Sequence, residues 1–467
     1  MSLQTRRARR AFRGDAGRTG TRPDNRLAYF DHAAFLLMLA TDRQQLMQSV
    51  WIYEHAVDFD QLRRFHRNFG YGLFGRRIER SPLPFGRHRW VSSLGPPADI
   101  DIAECPRPRD ELSDWADECG QLPIDPELGP SWRLGVLPLT DGSTAVSLVL
   151  SHCLADGVGS LLAIVDAVKG NTCELGYPQP RSRTRLRALV TDTRETVASA
   201  PELARTLVVA AKLARRRRRD IARSEAPRHV GSDGAAGDRP VVVPAITLFI
   251  DIDDWDARAR ILGGTSYSLL AGFAAKLAER LGRRAEDGTV ALSMAISDRV
   301  EDDTRANAMS LAHANVDPTQ VTTELSGARV EIREALKTAR EMPDETLQLL
   351  PLIRFIPKWV LRRAADVFLG SADLPVSCSN LGDIDPAVVR PDGTDADYVI
   401  LRGIDNPVSR QELDRARGQL VLVSGRIAGK VSIAVNAYQP GANNSKAELR
   451  ELAARTLAEF DLTGVID

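Results

Sequence analysis

The part of the sequence best suited to chemistry is a histidine with an acid and a glycine close behind it. The stretch SHCLADGVGS (151–160) contains His152, Asp156 and Gly157. An imidazole, with an ordinary pKa of about 6.5, takes up and releases a proton near neutral pH. The alternative is a packed histidine at a strand end, with Asp156 serving only as a helix cap. Both interpretations stay open at this level.

The flanking elements place the imidazole at a corner between a strand and a helix. The apolar run TAVSLVL (144–150) predicts a strand, and the run GSLLAIVDAV (159–168) predicts a helix. With a strand period of two, three apolar residues share the face of His152: Val146, Leu148 and Leu150. We expect Gly157 to take a backbone angle that other residues resist. The ring would then be partly buried and partly reachable.

Other chemistries have weaker support. Cys153, beside His152, could form a thiol–imidazole pair, but alternation along a strand points the two to opposite faces. A small buried thiol is therefore favoured. The seven histidines are dispersed without metal-ligand spacing, and the sequence has no glycine-rich phosphate loop and no GxSxG elbow. We expect no metal.

Composition limits the class of protein. Lys and Arg together number 62, as do Asp and Glu, so no net field favours a nucleic-acid partner. Five scattered cysteines without a CxxC pair fit a reducing cytoplasm. No run approaches the ~20 apolar residues that a spanning helix needs. We expect a soluble cytoplasmic protein without a transmembrane segment.

The organisation along the chain suggests two mixed helix-and-strand blocks. Residues 1–26 carry eight arginines and predict a disordered basic tail; the alternative is a peripheral contact with anionic lipid or an acidic partner. The first block covers 27–180 and includes a predicted hairpin with a TDGS turn over 132–152. A helical crossover and flexible linker are expected over 181–244. The second block covers 245–467.

Several segments, in chain order, resemble one family. His152, Asp156 and Gly157 match the HxxxDG signature of the chloramphenicol-acetyltransferase-like acyltransferases. That group includes nonribosomal-peptide condensation domains, wax ester synthase/diacylglycerol acyltransferases and polyketide-associated acyltransferases. The other similar segments span more than 300 residues: RLAYFDHAAFLL (26–37), SPLPFGRHRWV (81–91), SMAISDRVEDDTRANAMSLAHANVDP (293–318) and VSCSNLG (376–382).

The resemblance implies a fold and a pair of substrates. The expected fold is an α/β (α+β sandwich) protein with two similar lobes that form a pseudo-dimer and enclose a tunnel. The histidine would lie midway along that tunnel. An acyl thioester, either acyl-CoA or a phosphopantetheinyl acyl carrier protein, would enter from one side and an alcohol or amine acceptor from the other. The thioester would be a co-substrate, with no permanently bound cofactor.

The resemblance also assigns roles to residues. His152 would be the general base, and Asp156 would form a bidentate ion pair with Arg299 that holds the corner and aims the ring. A solvated charge is the alternative for Arg299. Ser379 and Asn380 would donate hydrogen bonds to the oxyanion or align the acyl chain, with an ordinary Ser-Asn turn as the alternative.

Three departures from the family pattern refine the prediction. Ser151 stands where many members have a first histidine, and Ser266-Tyr267 stands where wax ester synthases have Asn-Asp. The plant-type DFGWG element is missing. We assign Ser151 and Ser266 to substrate binding and expect a condensation-type O- or N-acyltransferase of lipid or secondary-metabolite biosynthesis. The alternative is a relative of the same fold that binds a thioester or lipid without turnover.

Overall fold

A computed structural model of the chain describes residues 23–221, 240–300, 302–341, 347–362 and 375–467. The predicted basic tail lies outside the described residues as far as residue 22, and so does the predicted linker over 222–239. The last residues of the predicted tail are in contact with the body: the Trp90 N–H donates to the Asn25 carbonyl at 2.6 Å.

The strands alternate with helices along the described chain. The strands are β1 (Gln44–Tyr53), β2 (Arg76–Glu79), β3 (Arg89–Ser92), β4 (Asp101–Ile102), β5 (Trp132–Pro138), β6 (Thr144–Ser151), β7 (Ala245–Asp251), β8 (Val290–Ser297), β9 (Met309–Val316), β10 (Val376–Asp383), β11 (Tyr398–Asn406), β12 (Gln419–Ile427), β13 (Lys430–Tyr438) and β14 (Val465–Ile466). The α-helices are α1 (Tyr29–Thr41), α2 (Phe59–Phe69), α3 (Leu112–Gln121), α4 (Gly157–Lys169), α5 (Arg185–Ala198), α6 (Ala200–Ile221), α7 (Ile252–Ile261), α8 (Ser266–Arg280), α9 (Ser326–Glu341), α10 (Arg410–Arg415) and α11 (Lys446–Ala458). Short 3-10 helices cover Gly72–Phe74, Arg109–Glu111, Leu347–Phe355 and Pro386–Val389.

The first sheet has the strand order β11-β1-β6-β5-β4. The predicted hairpin is confirmed: β5 and β6 pair antiparallel, and Gly142 in the connecting turn has a φ of 88°. β11 pairs antiparallel with β1, so a strand from the late part of the chain completes a sheet whose other strands all precede residue 152. The first sheet is therefore not built from residues 27–180 alone.

The second sheet has the strand order β14-β7-β13-β12-β10-β8-β9. It is mixed, because β10 lies parallel to both β8 and β12 while the other neighbours are antiparallel. β2 and β3 form a separate two-stranded ribbon.

Each sheet has its own apolar core. The core of the second sheet contains residues of α7, α8, α9 and α11 packed on one face. The first sheet is buried on both faces, against α2 and α4 on one side and α3 on the other. The predicted two-lobed mixed α/β architecture is thus present. No helix in the described ranges has the length and apolar character needed to cross a bilayer.

Candidate active site

His152 follows the last residue of β6 and continues its ladder. Its backbone N–H donates to the Gln45 carbonyl of β1 at 3.0 Å, and Nδ2 of Asn307 donates to its carbonyl at 3.3 Å. The side chain is partly exposed, between buried Ser151 and buried Cys153. Among the described residues, no side chain forms a hydrogen bond with the imidazole. The backbone of His152 is therefore fixed by two hydrogen bonds, while neither ring nitrogen forms one with the described residues.

Asp156 organises the turn from β6 into α4. Its Oδ1 accepts from the Gly159 N–H at 2.7 Å, as an N-cap of α4. Its Oδ2 accepts from the Ala308 N–H at 2.8 Å and from Nη2 of Arg299 at 2.9 Å. The structure thus brings Asp156 and Arg299 together. The expected bidentate geometry is wrong, because a single nitrogen reaches a single carboxylate oxygen.

The remaining donors of Arg299 explain that geometry. Its Nη1 donates to the carbonyls of Asp303 and Arg305 at 3.1 Å each, and Nη2 also donates to the Ala306 carbonyl at 2.9 Å. The guanidinium therefore fastens its own loop, which follows β8, to the acid that caps α4. The Arg299 and Asp156 side chains are 4% and 5% exposed, so the ion pair is buried. It joins the loop after β8 of the second sheet to the turn after β6 of the first sheet.

The glycines at the start of α4 provide space. Gly157 is not among the glycines with positive φ, so the expected unusual backbone angle is wrong. A Cβ on Gly157 would lie 3.0 Å from Cδ2 of Leu381, and one on Gly159 would lie 2.9 Å from Nη2 of Arg299. A side chain at Gly159 would crowd the buried ion pair, whereas at Gly157 only the end of the Leu381 side chain would have to move by a few tenths of an ångström.

Two groups missed in the sequence lock the Arg299 loop from the other side. Asp31 of α1 accepts from the backbone N–H groups of Ala306 and Asn307 at 2.9 and 2.8 Å. Arg76 donates to the Thr304 carbonyl at 2.5 Å. Burial raises the pKa of Asp31, against the lowering effect of its N–H donors. For Asp31, the available signal was an Asp-His pair at the start of a helical segment that is otherwise mostly apolar.

The residues beside His152 do not join its ring. Ser151 is buried, and its Oγ accepts from the Cys153 N–H at 3.3 Å, which stabilises the turn. Burial raises the pKa of the Cys153 thiol to about 12, so a reactive thiolate is disfavoured. Both side chains act in packing, and the structure does not place Ser151 on the imidazole's face of the sheet.

Ser266 belongs to a different cluster. Its Oγ accepts from Nε1 of Trp255 at 2.9 Å and from Nη1 of Arg426 at 3.2 Å. Arg426 in turn binds Asp256 through two nitrogens, at 2.6 and 2.7 Å. Burial raises the pKa of the neighbouring Tyr267. Ser266, the first residue of α8, is therefore bound to Trp255 of α7 and Arg426 of β12, and within the described residues it forms no hydrogen bond with the corner at His152.

The second sheet has one covered face and one half-open face. In β8, buried residues of the core alternate with partly exposed ones. Pairing of β8 with β10 and of β10 with β12 continues the partly exposed side across three strands. We call this side the open face; its residues are Ser293, Ala295, Ser377, Ser379, Gln419, Val421 and Val423.

The predicted Ser-Asn pair divides between the two faces. Alternation places Ser379 on the open face and Asn380 on the side of buried Cys378. Asn380 uses its Oδ1 to accept from the Gly382 N–H at 2.9 Å. Leu381, at the irregularity in the pairing of β10 with β12 that follows Asn380, lies against Gly157. The open face thus ends at the start of α4, next to the histidine corner.

No family model and no curated protein matches the chain, but solved structures do. The first condensation domain of the calcium-dependent antibiotic synthetase, in complex with a substrate analogue, is 15% identical over 94% of this chain and 100% of that one, with a TM-score of 0.54. Wax ester synthase/diacylglycerol acyltransferase from Marinobacter aquaeolei is 15% identical over 94% and 98%, with a TM-score of 0.53. Trichothecene 15-O-acetyltransferase from Fusarium sporotrichioides is 11% identical over 95% and 96%, with a TM-score of 0.54.

This chain has the chloramphenicol-acetyltransferase-like fold. The prediction of fold class is therefore confirmed, because the match to these structures covers 94–95% of this chain. The predicted tunnel stays a prediction. Within the chloramphenicol-acetyltransferase-like fold of this protein, the corner after β6 is the place where the two sheets, the buried ion pair and a partly exposed imidazole come together. Function still has to be argued from these side chains, since one fold hosts many activities.

Proposed function

We propose that the protein is an acyltransferase that moves an acyl group from a thioester to an alcohol or amine, with His152 as general base. The observation that carries the proposal is a partly exposed imidazole without a hydrogen-bond partner in the described part of the chain, mounted on a corner that a buried ion pair holds rigid. Rigid mounting suits catalysis, because a base must meet its proton within a few tenths of an ångström.

The reaction balances with this one base. The acceptor oxygen or nitrogen attacks the thioester carbonyl carbon while its proton passes to the neutral imidazole. The new C–O or C–N bond gives a tetrahedral oxyanion, whose collapse breaks the C–S bond. The departing thiolate takes the proton back from the ring. The products are an ester or amide and a free thiol, and His152 returns to its starting form.

Other parts of the site have supporting roles in this proposal. Ser379 on the open face is the candidate donor to the oxyanion, while Asn380 supports the turn that follows it. Asp156, Gly157 and Arg299 position the corner. The open face, with its serines and valines, would form one wall of a tunnel that admits the two substrates from opposite sides. The predicted roles of Ser151 and Ser266 in substrate binding stay predictions.

The donor would be acyl-CoA or an acyl carrier protein. Structural likeness to a condensation domain and to a wax ester synthase/diacylglycerol acyltransferase supports this donor class. We place the protein in the cytoplasm, which agrees with five free cysteines, three of them buried. We propose a first lobe over 27–180, a crossover over 181–244 and a second lobe over 245–467. One strand of the second lobe, β11, pairs with β1 and so belongs to the first sheet.

Replacement of the base tests the proposal. Purified protein is incubated with acyl-CoA and acyl-carrier donors and simple alcohols and amines, and free thiol and product mass are measured. His152→Ala should lower transfer by about 10²–10⁴-fold while donor binding is retained. His55→Ala, at an exposed histidine that contacts Thr394, is the matched control and should transfer normally.

Two results would contradict the proposal. Equal transfer by wild type and His152→Ala would exclude the imidazole as base. Donor binding by wild type without transfer from any thioester would show a binding protein of the same fold, which is the alternative function.

A further inference from the structure

We infer that Asp405 is a positioning residue for His152, with a carboxylate that faces the imidazole along one row of the first sheet and stabilises its charged form. The inference rests on the proposed function, in which the ring becomes positive as it takes the acceptor's proton. Asp405 lies on β11, 253 positions after the histidine.

The strand register places the two side chains on one face. Asp405 is directly opposite Gln45 in the pairing of β11 with β1. His152 is opposite the same Gln45 on the other side of β1, because its N–H donates to the Gln45 carbonyl. Directly opposed residues point to the same face, so His152, Gln45 and Asp405 form one row. Two strand spacings separate the ends of the row, about 10 Å between backbones.

The Asp405 carboxylate also connects this row to the open face. Its Oδ2 accepts from Nε2 of Gln419 at 3.1 Å, and Gln419 is the first residue of β12. The row formed by His152, Gln45 and Asp405 therefore adjoins the open face of the second sheet. In the proposed function, the open face forms a wall of the substrate tunnel.

Within the described ranges, two charged or titratable side chains act on Asp405. His152 faces it from the end of β6, and Arg43 faces it from the residue before β1. Arg43 is engaged by Glu412 of α10 at 2.9 Å, which offsets its charge, and Gln419 is neutral. Burial raises the pKa of Asp405, whereas the Gln419 hydrogen bond, Arg43 and His152 lower it. A positive ring at His152 thus favours the ionised carboxylate, and the ionised carboxylate favours a positive ring to the same extent.

This arrangement serves general-base catalysis. The neutral ring has little interaction with the carboxylate, while the protonated ring formed in the transition state is attracted to it. An interaction that strengthens along the reaction lowers the barrier, and one that is equal throughout does not. Asp405 touches neither substrate in this scheme; it acts through His152.

The test measures the ring in the absence of substrate. Protein labelled with ¹³C-histidine is titrated by NMR, and the His152 signal is assigned from its loss in His152→Ala. In Asp405→Asn, whose amide oxygen can still accept from Gln419, the titration midpoint of the His152 ring should fall by at least about 0.3 pH unit, the effect in water of one unit charge about 10 Å away. The matched control is Asp397→Asn: Asp397 immediately precedes β11 at the end of the strand remote from Asp405, accepts from the Glu54 N–H at 2.8 Å, and should leave the midpoint unchanged.

Activity gives a second readout. In Asp405→Asn the acid limb of the kcat/KM profile should move to lower pH, with kcat reduced and KM little changed, and Asp405→Glu should restore part of kcat. Asp405→Ser, neutral and smaller, provides the same titration if the asparagine variant does not fold. An unchanged midpoint in a folded neutral variant overturns the inference. Absence of transfer in wild type contradicts the proposed function alone, since a shifted midpoint still supports the pairing of Asp405 with His152.

Discussion

Replacing Arg299 by methionine should destabilise the protein by about 3–5 kcal/mol, the usual cost of removing one partner from a buried ion pair. The guanidinium donates to Asp156 and to three carbonyls of its own loop, and its side chain is 4% exposed. In the variant, the Asp156 carboxylate keeps its two backbone N–H donors but loses its counter-charge. Methionine fills much of the space, so the electrostatic loss dominates over a cavity.

The assay compares variants within one loop. Urea unfolding is followed by the fluorescence of the buried tryptophans, and hydrogen exchange over residues 298–308 reports local opening of the loop. Arg305→Met is the control in the same loop: Arg305 is 44% exposed, although its partner Asp303 is only 5% exposed, so this pair lies partly in water and its loss should cost about 1–2 kcal/mol, less than the loss of Arg299. The double variant Arg299→Met/Asp156→Asn should lose less than the sum of its single variants, since the stranded charge is gone.

Unfolding of Arg299→Met at the urea concentration of Arg305→Met, with the same exchange pattern, would contradict a stabilising role of the buried ion pair. A double variant equal to the sum of the two single changes would contradict it as well, because the ion pair would then contribute no coupling.

Two further predictions follow from buried groups. Burial lowers the pKa of His88 to about 4 and the pKa of His32 to about 2, so below about pH 6.5 the unfolded chain binds protons that the folded chain does not. Each ring should therefore remove up to about 1.4 kcal/mol of unfolding free energy per pH unit as the pH falls. His32→Leu should reduce the pH dependence of the unfolding free energy, measured in urea, between about pH 6.5 and 4.5; an unaltered slope would contradict this. Gly159→Ala should lower the melting temperature, because the added Cβ would crowd Arg299. Gly327→Ala, where the Cβ would meet open space in α9, should raise the melting temperature slightly through the higher helix propensity of alanine. Shifts of the same sign in both variants would contradict a steric effect at Gly159.

Much of the local architecture around the site could be predicted from residues alone. Val146, Leu148 and Leu150 do lie together in one apolar core, as the two-residue period predicted for the face that carries His152. The Asp156 cap and the TDGS turn also followed from neighbours in sequence. These features depend on interactions between residues that are close in sequence, so the local sequence is sufficient to predict them. The angle expected at Gly157 was wrong, because Gly157 is already the first residue of α4 and is not among the glycines with positive φ.

The remote partners of the histidine corner were decided by tertiary structure. Arg299 was expected only through a family resemblance, and Asp31, Asn307 and Asp405 were not expected at all. Their positions depend on how the loop after β8 inserts behind α4 and on the register of β11 against β1, and neither is set by local propensity. The sequence by itself determined a strand, a turn and a helix with an imidazole between them. Only the assembly of two sheets decided which charges surround that imidazole, because a one-residue shift of β11 would turn Asp405 to the opposite face.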